Sequence, residues 1–162
     1  MVEGAPQLLV DIEQSGFAAF VRQSPWFYAA ANVVHILGLA IFFAAIAIMD
    51  VRLLGGLAAC VPGDIVFPAR RVAIGALLVQ IASGLVLFAA EASHVALNPV
   101  FQIKLVLIAI ALANVALVTA AMRPSMREQA GFRLPSLVRV GAIASLVLWL
   151  AVAAAGRLIA YL

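Results

Sequence analysis

Four long apolar runs dominate the chain. They cover residues 27–49, 72–90, 105–122 and 140–156, and none of them contains a charged side chain. With its flanks, each run reaches about 20 residues, enough for a helix that rises about 1.5 Å per residue to cross roughly 30 Å of hydrocarbon. Ala and Leu, which favour helix, are frequent in the runs, and the alternation typical of a membrane β-barrel is absent. The pattern predicts an all-α, integral membrane four-helix bundle.

Local signals indicate where these helices begin and end. Ser24 and Pro25 combine an N-cap with a first-turn proline, Gly55 can end the first helix, and Pro68 and Pro135 can open the second and fourth. These signals predict membrane helices at about 26–54, 70–93, 101–122 and 136–160, within a single membrane domain that spans residues 1–162.

The segment before the first run is a separate amphipathic element at about residues 7–22. Its apolar side chains can share one helix face, opposite Asp11, Gln14 and Ser15; they are Leu9, Ile12, Phe17 and Phe20. This pattern predicts an N-terminal amphipathic helix that lies in the membrane interface. The alternative is a short helix packed over the mouth of the bundle.

Composition and charge support a membrane location. Apolar residues make up 67% of the chain and charged residues 10%, against about 25% charged residues in an average soluble domain. Seven of the ten basic residues fall on the side of the bundle that holds the first loop, and the side richer in Lys and Arg is expected to face the cytoplasm. We therefore expect a multi-pass protein of the bacterial inner membrane with both termini outside. The single cysteine, Cys60, excludes an internal disulfide and a CxxC metal site.

His35 is the most informative polar residue in the apolar runs, because polar groups in lipid are costly. It lies roughly 13 Å along the first helix from Trp26, and Asn32 and Gly38 lie on the same helix face. Such a histidine can ligate a metal or a haem iron, with the glycine making room for the macrocycle. It can also be a neutral histidine that is hydrogen-bonded to a neighbouring helix.

The second histidine, His94, is placed at the outer end of the second helix, nearer the surface than His35 by about 10 Å. It falls roughly along one face of that helix with Gln80, Ser83, Gly84 and Glu91. Ligation of one haem by both histidines would require that end to dip inward, and the alternative is a solvent-exposed loop histidine. Lys104 can extend to the interface, neutralise a haem propionate, or pair with Glu91. The predicted cluster in the outer half comprises Asn32, His35, Glu91, His94, Lys104 and Arg157. At the cytoplasmic end, Asp50 is a candidate ion-pair partner of Arg52 or Arg71.

Two segments carry a family resemblance. SPWFYAAANVVHILGLAIFFAAIAIMDVRLLG (residues 24–55) resembles the start of a family of small, poorly characterised bacterial four-helix membrane proteins, and NPVFQIKLVLIAIALANVAL (98–117) resembles that family's third helix. The residues that match its motifs are Trp26, His35, Gly38, Asp50, Arg52 and Lys104.

The layout is also similar to that of copper-resistance-protein-D-like membrane proteins and of the membrane protoporphyrinogen oxidase family. This resemblance implies a haem b site with His35 as an axial ligand. Those relatives carry histidines in four or more helices, whereas this chain has two histidines in all. The second axial ligand is then His94, a His35 from a second protomer, or absent.

These features predict a haem b protein that transfers electrons in the membrane, with quinone or a periplasmic redox protein as its partner. The alternatives are a cofactor-free accessory subunit of a larger membrane complex, to which Ser145, Ala153 and Gly156 would offer a packing surface, and a metal-ion or small-solute permease that works as a homo-oligomer. The basic residues form no patch with interleaved aromatics, so nucleic acid is not an expected partner. The chain has no phosphate-binding loop or HExxH zinc motif, and we assign no catalytic residue.

Overall fold

The computed structural model describes residues 5–57, 59–122, 135–159 and 161, and every regular element within them is a helix. The elements are α1 (Gln7–Gln14), α2 (Gly16–Gln23), α3 (Pro25–Leu53), α4 (Pro62–Ala90), α5 (Ala92–Leu97), α6 (Pro99–Met122) and α7 (Ser136–Leu158). Of these, α3, α4, α6 and α7 are long and apolar enough to cross a membrane. The predicted all-α, four-helix membrane architecture is confirmed.

The four long helices pack as two pairs. Helix α3 lies along α4, α6 lies along α7, and α3 also contacts α7. We call the end of the bundle where α3 begins and α4 ends the outer end, and the opposite end the inner end. At mid-height, the rings of Trp149 and Phe42 pack in a T-shaped arrangement, with ring centroids 4.6 Å apart. Both side chains belong to a buried apolar cluster to which all four helices contribute.

Most of the apolar surface of the long helices points away from this core. In the most apolar stretch of each helix, only 17% to 33% of the residues are buried within the chain. Such a surface is stable in lipid and not in water, because a water-exposed apolar area of this size is unfavourable. The chain is therefore a multi-pass membrane protein.

Helix α4 differs from its prediction at both ends. It begins at Pro62 and not near residue 70, because Pro62 takes the first-turn position expected of Pro68, and Asp64 adds a favourable charge to the first turn. It ends at Ala90, because the backbone of Glu91 (φ −141°, ψ 41°) leaves the helical region. The residues that follow form the separate helix α5.

The N-terminal segment is two short helices and not the single helix predicted at 7–22. The Ser15 hydroxyl accepts a hydrogen bond from the Ala18 amide (3.2 Å) and so caps α2. The Glu13 carboxylate accepts hydrogen bonds from the Ser93 amide (2.9 Å) and the Ser93 hydroxyl. Arg22 donates to the carbonyl oxygen of Ala90 (2.9 Å).

These contacts fasten α1 and α2 over the outer end of the bundle, as the alternative interpretation of the segment expected. Ala18 and Val21 are fully buried there, whereas Leu8, Phe17 and Phe20 are exposed. The same segment thus packs on the bundle and presents apolar side chains at the level of the membrane interface.

Candidate functional site

His35 lies in the outer half of α3 with its ring turned toward α4. Its Nδ1 atom is 2.8 Å from the hydroxyl oxygen of Ser83. A Cβ atom built on Gly84 would lie 3.4 Å from His35 Cε1, so the glycine leaves the α4 surface open for the ring. Ser83 is buried and His35 is half-buried, and the imidazole is thereby held between the two helices.

The contacts of Ser83 determine which ring nitrogen of His35 carries the proton. The Ser83 hydroxyl also lies 2.6 Å from the carbonyl oxygen of Val79, which can only accept a hydrogen bond. The single hydroxyl proton is therefore donated to Val79, and His35 Nδ1 must supply the proton of its own hydrogen bond to Ser83. In a neutral ring this assignment leaves His35 Nε2 unprotonated.

A second contact fixes the backbone of α3 at the same level. The Gln80 side-chain amide donates to the carbonyl oxygen of His35. A Cβ atom on Gly38 would lie 3.1 Å from that amide nitrogen and 3.2 Å from Val79 Cγ1. Gly38 therefore gives α4 a close approach to α3, and the space beside it is filled by α4 side chains and not open for a macrocycle.

Lys104 brings a positive charge to this region from α6. Its side chain is half-buried and crosses to α7, where Nζ would lie 3.3 Å from a Cβ atom built on Gly156. The lysine interacts electrostatically with His35. Because Gly156 has no side chain, the ammonium group lies against the α7 backbone.

We call His35, Gln80, Ser83, Gly84, Lys104 and Gly156 the outer polar site. On its outer side, Phe88 of α4 stacks on Phe101 of α6, with ring centroids 5.6 Å apart and planes 18° apart. This aromatic pair lies between the site and the outer end. The site therefore has an apolar border where α4 and α6 meet.

Other residues of the predicted cluster lie elsewhere. Asn32 and Glu91 are exposed, and the hydrogen-bond partner of the His35 ring is Ser83 and not Asn32. Arg157 is exposed and donates to the Tyr161 hydroxyl, with its guanidinium 4.9 Å from the centre of that ring.

His94 also lies apart from the predicted face of the second helix. It is exposed on α5, because the break at Glu91 interrupts the helical face that was expected to connect Gln80 with His94. The outer polar site as described therefore contains one histidine.

The described residues contain no group of three or more His, Cys, Asp or Glu side chains that could hold a metal ion. A bare zinc or copper ion needs about three or four protein ligands. A haem iron receives its equatorial nitrogens from the macrocycle, and one axial histidine is enough to hold it. The outer polar site as described offers one histidine, which is fewer ligands than a bare zinc or copper ion needs.

The family comparison gives a match over most of the chain. A model described as a family of unknown function (DUF6644) matches residues 14–162. No curated protein and no solved structure matches the chain. The predicted relationship to a poorly characterised family is confirmed in this form, and the comparisons supply no relative that links the chain to copper-resistance or protoporphyrinogen oxidase proteins.

Proposed function

The chain belongs to the DUF6644 family of unknown function, and we propose from the geometry of the outer polar site that it binds haem b through His35 and transfers electrons within the membrane. The observation that carries the proposal is the pair of hydrogen bonds at Ser83. They leave His35 Nε2 as a free ligand and hold the ring in one orientation. Haem-ligating histidines are typically oriented in this way through their other ring nitrogen.

Lys104 supplies the charge that an anionic group of the ligand would need. Its ammonium group is half-buried beside Gly156 and interacts with His35 across the site. A carboxylate within reach would form a charge-assisted hydrogen bond with it, which is about twice as strong as a neutral one. In haem b the propionates are such groups, so Lys104 would bind a propionate while His35 binds the iron.

The protonation state of His35 also argues against a quinone as the direct occupant. A quinone carbonyl accepts hydrogen bonds, and an unprotonated Nε2 has no proton to donate. Quinone therefore fits better as an electron partner that approaches from the lipid than as the group held by His35. A periplasmic redox protein is the other partner consistent with a site in the outer half.

We propose that His35 alone would hold the haem iron in each chain. His94 is exposed on a separate short helix and lies outside the outer polar site. Once bound, haem supplies the one-electron chemistry. His35 and Lys104 would bind and orient the group, and the charge of Lys104 would help to set its reduction potential.

The orientation of the bundle is part of the proposal. By sequence position, seven Lys and Arg residues fall on the inner side and three on the outer side; of the seven, Arg52, Arg70, Arg71 and Arg139 lie in the described residues. The inner end would face the cytoplasm by the positive-inside rule. In an inner membrane, both termini and the outer polar site then face the periplasm.

Visible absorption spectra test the proposal. Protein purified in detergent from haem-replete cells would be recorded oxidised and reduced, as wild type, His35→Ala and His94→Ala. We expect a haem signal in the wild type and in His94→Ala, and its loss in His35→Ala, because only His35 is oriented into the site. A wild type without a Soret band, or a signal that survives in His35→Ala, would overturn the proposal.

Two alternative functions have less support. Ser145 and Gly156, which were candidates for a partner-packing stripe, make contacts within the chain, with Asp50 and Lys104 respectively. They are therefore not free for an accessory-subunit interface. A permease would need a polar path through the bundle, whereas the cluster at its centre is apolar.

A further inference from the structure

A second buried polar group lies near the inner end, separate from the outer polar site. Asp50 is on α3, three residues before the helix ends at Leu53, and its side chain is only 4% exposed. Its carboxylate is hydrogen-bonded with the side chain of Ser145 on α7, which is itself 5% exposed. The other carboxylate oxygen, Oδ2, is buried and has no hydrogen-bond partner.

No cation in the described residues neutralises this carboxylate. Arg52 is two residues along α3, and side chains at that spacing do not face each other; its Nη2 atom donates instead to the Cys60 carbonyl oxygen (2.7 Å). On the helices packed against α3, the described charged residues near the inner end are half-buried or exposed, and none interacts with Asp50; they are Asp64, Arg70, Arg71 and Arg139. The ion pairs expected for Asp50 are therefore not formed.

Two further polar groups close to Asp50 or Ser145 in the sequence lack hydrogen-bond partners. They are Arg52 Nε, two residues after Asp50, and Trp149 Nε1, one helical turn from Ser145, and both are buried. An ionised carboxylate would attract such donors, because an unpaired charge removed from water costs several kcal/mol. A neutral carboxyl exerts no such attraction, and it can donate a hydrogen bond as well as accept one.

We propose that Asp50 is a proton-binding site: with Ser145 as its partner, it holds a proton in the folded protein at neutral pH and exchanges it with the inner side. The step is the protonation of a carboxylate and transfers no electron. Asp50 lies three residues before α3 ends, and the turn that follows holds the exposed Cys60, so the inner end is the nearer surface for this exchange. The inference does not depend on haem binding.

Infrared spectroscopy of the folded protein tests the proposal directly. We expect the wild type at neutral pH to show the C=O stretch of a protonated carboxyl that shifts in D₂O. The band should disappear in Asp50→Asn, change frequency in Ser145→Ala, and persist in Asp64→Asn, which removes an exposed carboxylate. The proposal would be overturned if the wild type shows no such band, or if the band remains in Asp50→Asn.

Thermal unfolding separates a proton from a bound cation. Asn has the shape of the neutral carboxyl, so Asp50→Asn should unfold at or above the wild-type temperature at neutral pH. The wild type alone should lose stability in alkali, as the buried carboxyl ionises. A rise in the wild-type unfolding temperature with added Na⁺ that Asp50→Asn abolishes would instead indicate a cation site, and strong destabilisation by Asp50→Asn at neutral pH would indicate an ionised, paired Asp50. Either result would overturn the proposal.

Discussion

At the residue scale, the chemistry of the outer polar site depends on the proton of one hydroxyl. The Ser83 hydroxyl lies between the Val79 carbonyl oxygen, which can only accept a hydrogen bond, and His35 Nδ1, which must then donate one. A neutral histidine in a membrane helix is otherwise ambiguous, because either ring nitrogen can be the donor. The serine removes this ambiguity, because its contacts leave Nε2 as the unprotonated nitrogen of a neutral ring.

Ser83→Ala should weaken haem binding without abolishing it. The variant keeps His35 but removes the acceptor that orients its ring, and loss of such an outer partner typically costs about 10–100-fold in affinity. Haemin titration followed by absorbance measures the effect. Ser145→Ala is the matched control, since Ser145 is equally buried but lies near the inner end. The haemin affinity of this variant should equal that of the wild type. Equal affinities for Ser83→Ala and the wild type would show that the serine does not orient the ligand.

The sequence identified His35 and Lys104 but not their partners. Hydropathy placed both residues in the outer half, because depth along a helix follows from its length alone. Which helix faces the imidazole depends on how the four helices pack, and these nearly uniformly apolar helices give little sign of their orientation. Gln80, Ser83 and Gly84 were visible as one face of the second helix, yet only the packing of α4 against α3 brings that face to His35.

At the element scale, glycines set the distance between paired helices. A Cβ atom on Gly141 of α7 would overlap Val118 Cγ2 of α6, and the Asn114 amide donates to the Gly141 carbonyl oxygen at 2.9 Å. A Cβ atom on Gly75 of α4, in contrast, would have nothing within 4 Å. The two glycines have different roles, although both lie in apolar helices.

Gly141→Ala should destabilise the bundle by about 1–3 kcal/mol, because it forces α6 and α7 apart. Gly75→Ala, the matched control, should be neutral or stabilise by up to about 1 kcal/mol through its better helix propensity. Unfolding in detergent with increasing denaturant measures both changes. Similar stabilities of the two variants would contradict the close contact between α6 and α7.

The N-terminal cap should weaken in acid. Hydrogen bonds from the Ser93 hydroxyl and amide, assisted by the Arg22 charge, hold the pKa of Glu13 below its usual value. The folded cap therefore binds its proton less readily than the unfolded chain does. Its stabilisation is complete above the ordinary pKa of glutamate and is lost as the pH falls through the lowered value.

Glu13→Gln provides the measurement. At neutral pH the variant should be less stable than the wild type by about 1 kcal/mol, because the charge-assisted bonds at this partly exposed position become neutral ones. The difference in unfolding free energy should shrink as the pH is lowered. A difference that is independent of pH would show that the Glu13 charge does not hold the cap in place.

The sequence predicted the long helices better than their ends. Apolar length located all four spans, since lipid requires continuous helix, whereas Pro68 misplaced the start of α4. The break at Glu91 and the split at Ser15 fall where side-chain contacts compete with helix continuation: Ser15 caps α2 through its own hydroxyl, and Ser93 after the break binds Glu13. One contact is a local side-chain bond and the other joins residues far apart in the sequence, and a hydrophobic pattern predicts neither.

At the scale of the whole molecule, the two ends of the bundle differ. Among the described residues, the inner end holds Asp50 and four of the six arginines, while the outer end holds the cap and borders the outer polar site. The native cysteine reports which end faces the cytoplasm, because Cys60 is the single cysteine and is exposed in the turn between α3 and α4.

A membrane-impermeant maleimide should label Cys60 in inside-out vesicles and not in right-side-out spheroplasts. The double variant Cys60→Ser, Gln23→Cys moves the thiol to an exposed position at the outer end and should give the reverse pattern. Labelling of the native cysteine in intact spheroplasts would invert the proposed orientation.

The most direct test of the proposed function is chemical rescue at residue 35. His35→Gly removes the ligand but leaves a cavity next to Ser83, and free imidazole can enter it and provide the missing nitrogen. We expect His35→Gly to lose the haem absorbance of the wild type and to regain it when imidazole is added to the haemin titration, whereas His94→Gly should bind haem without imidazole. Haem binding by His35→Gly that equals the wild type in the absence of imidazole would contradict the assignment of His35 as the haem ligand.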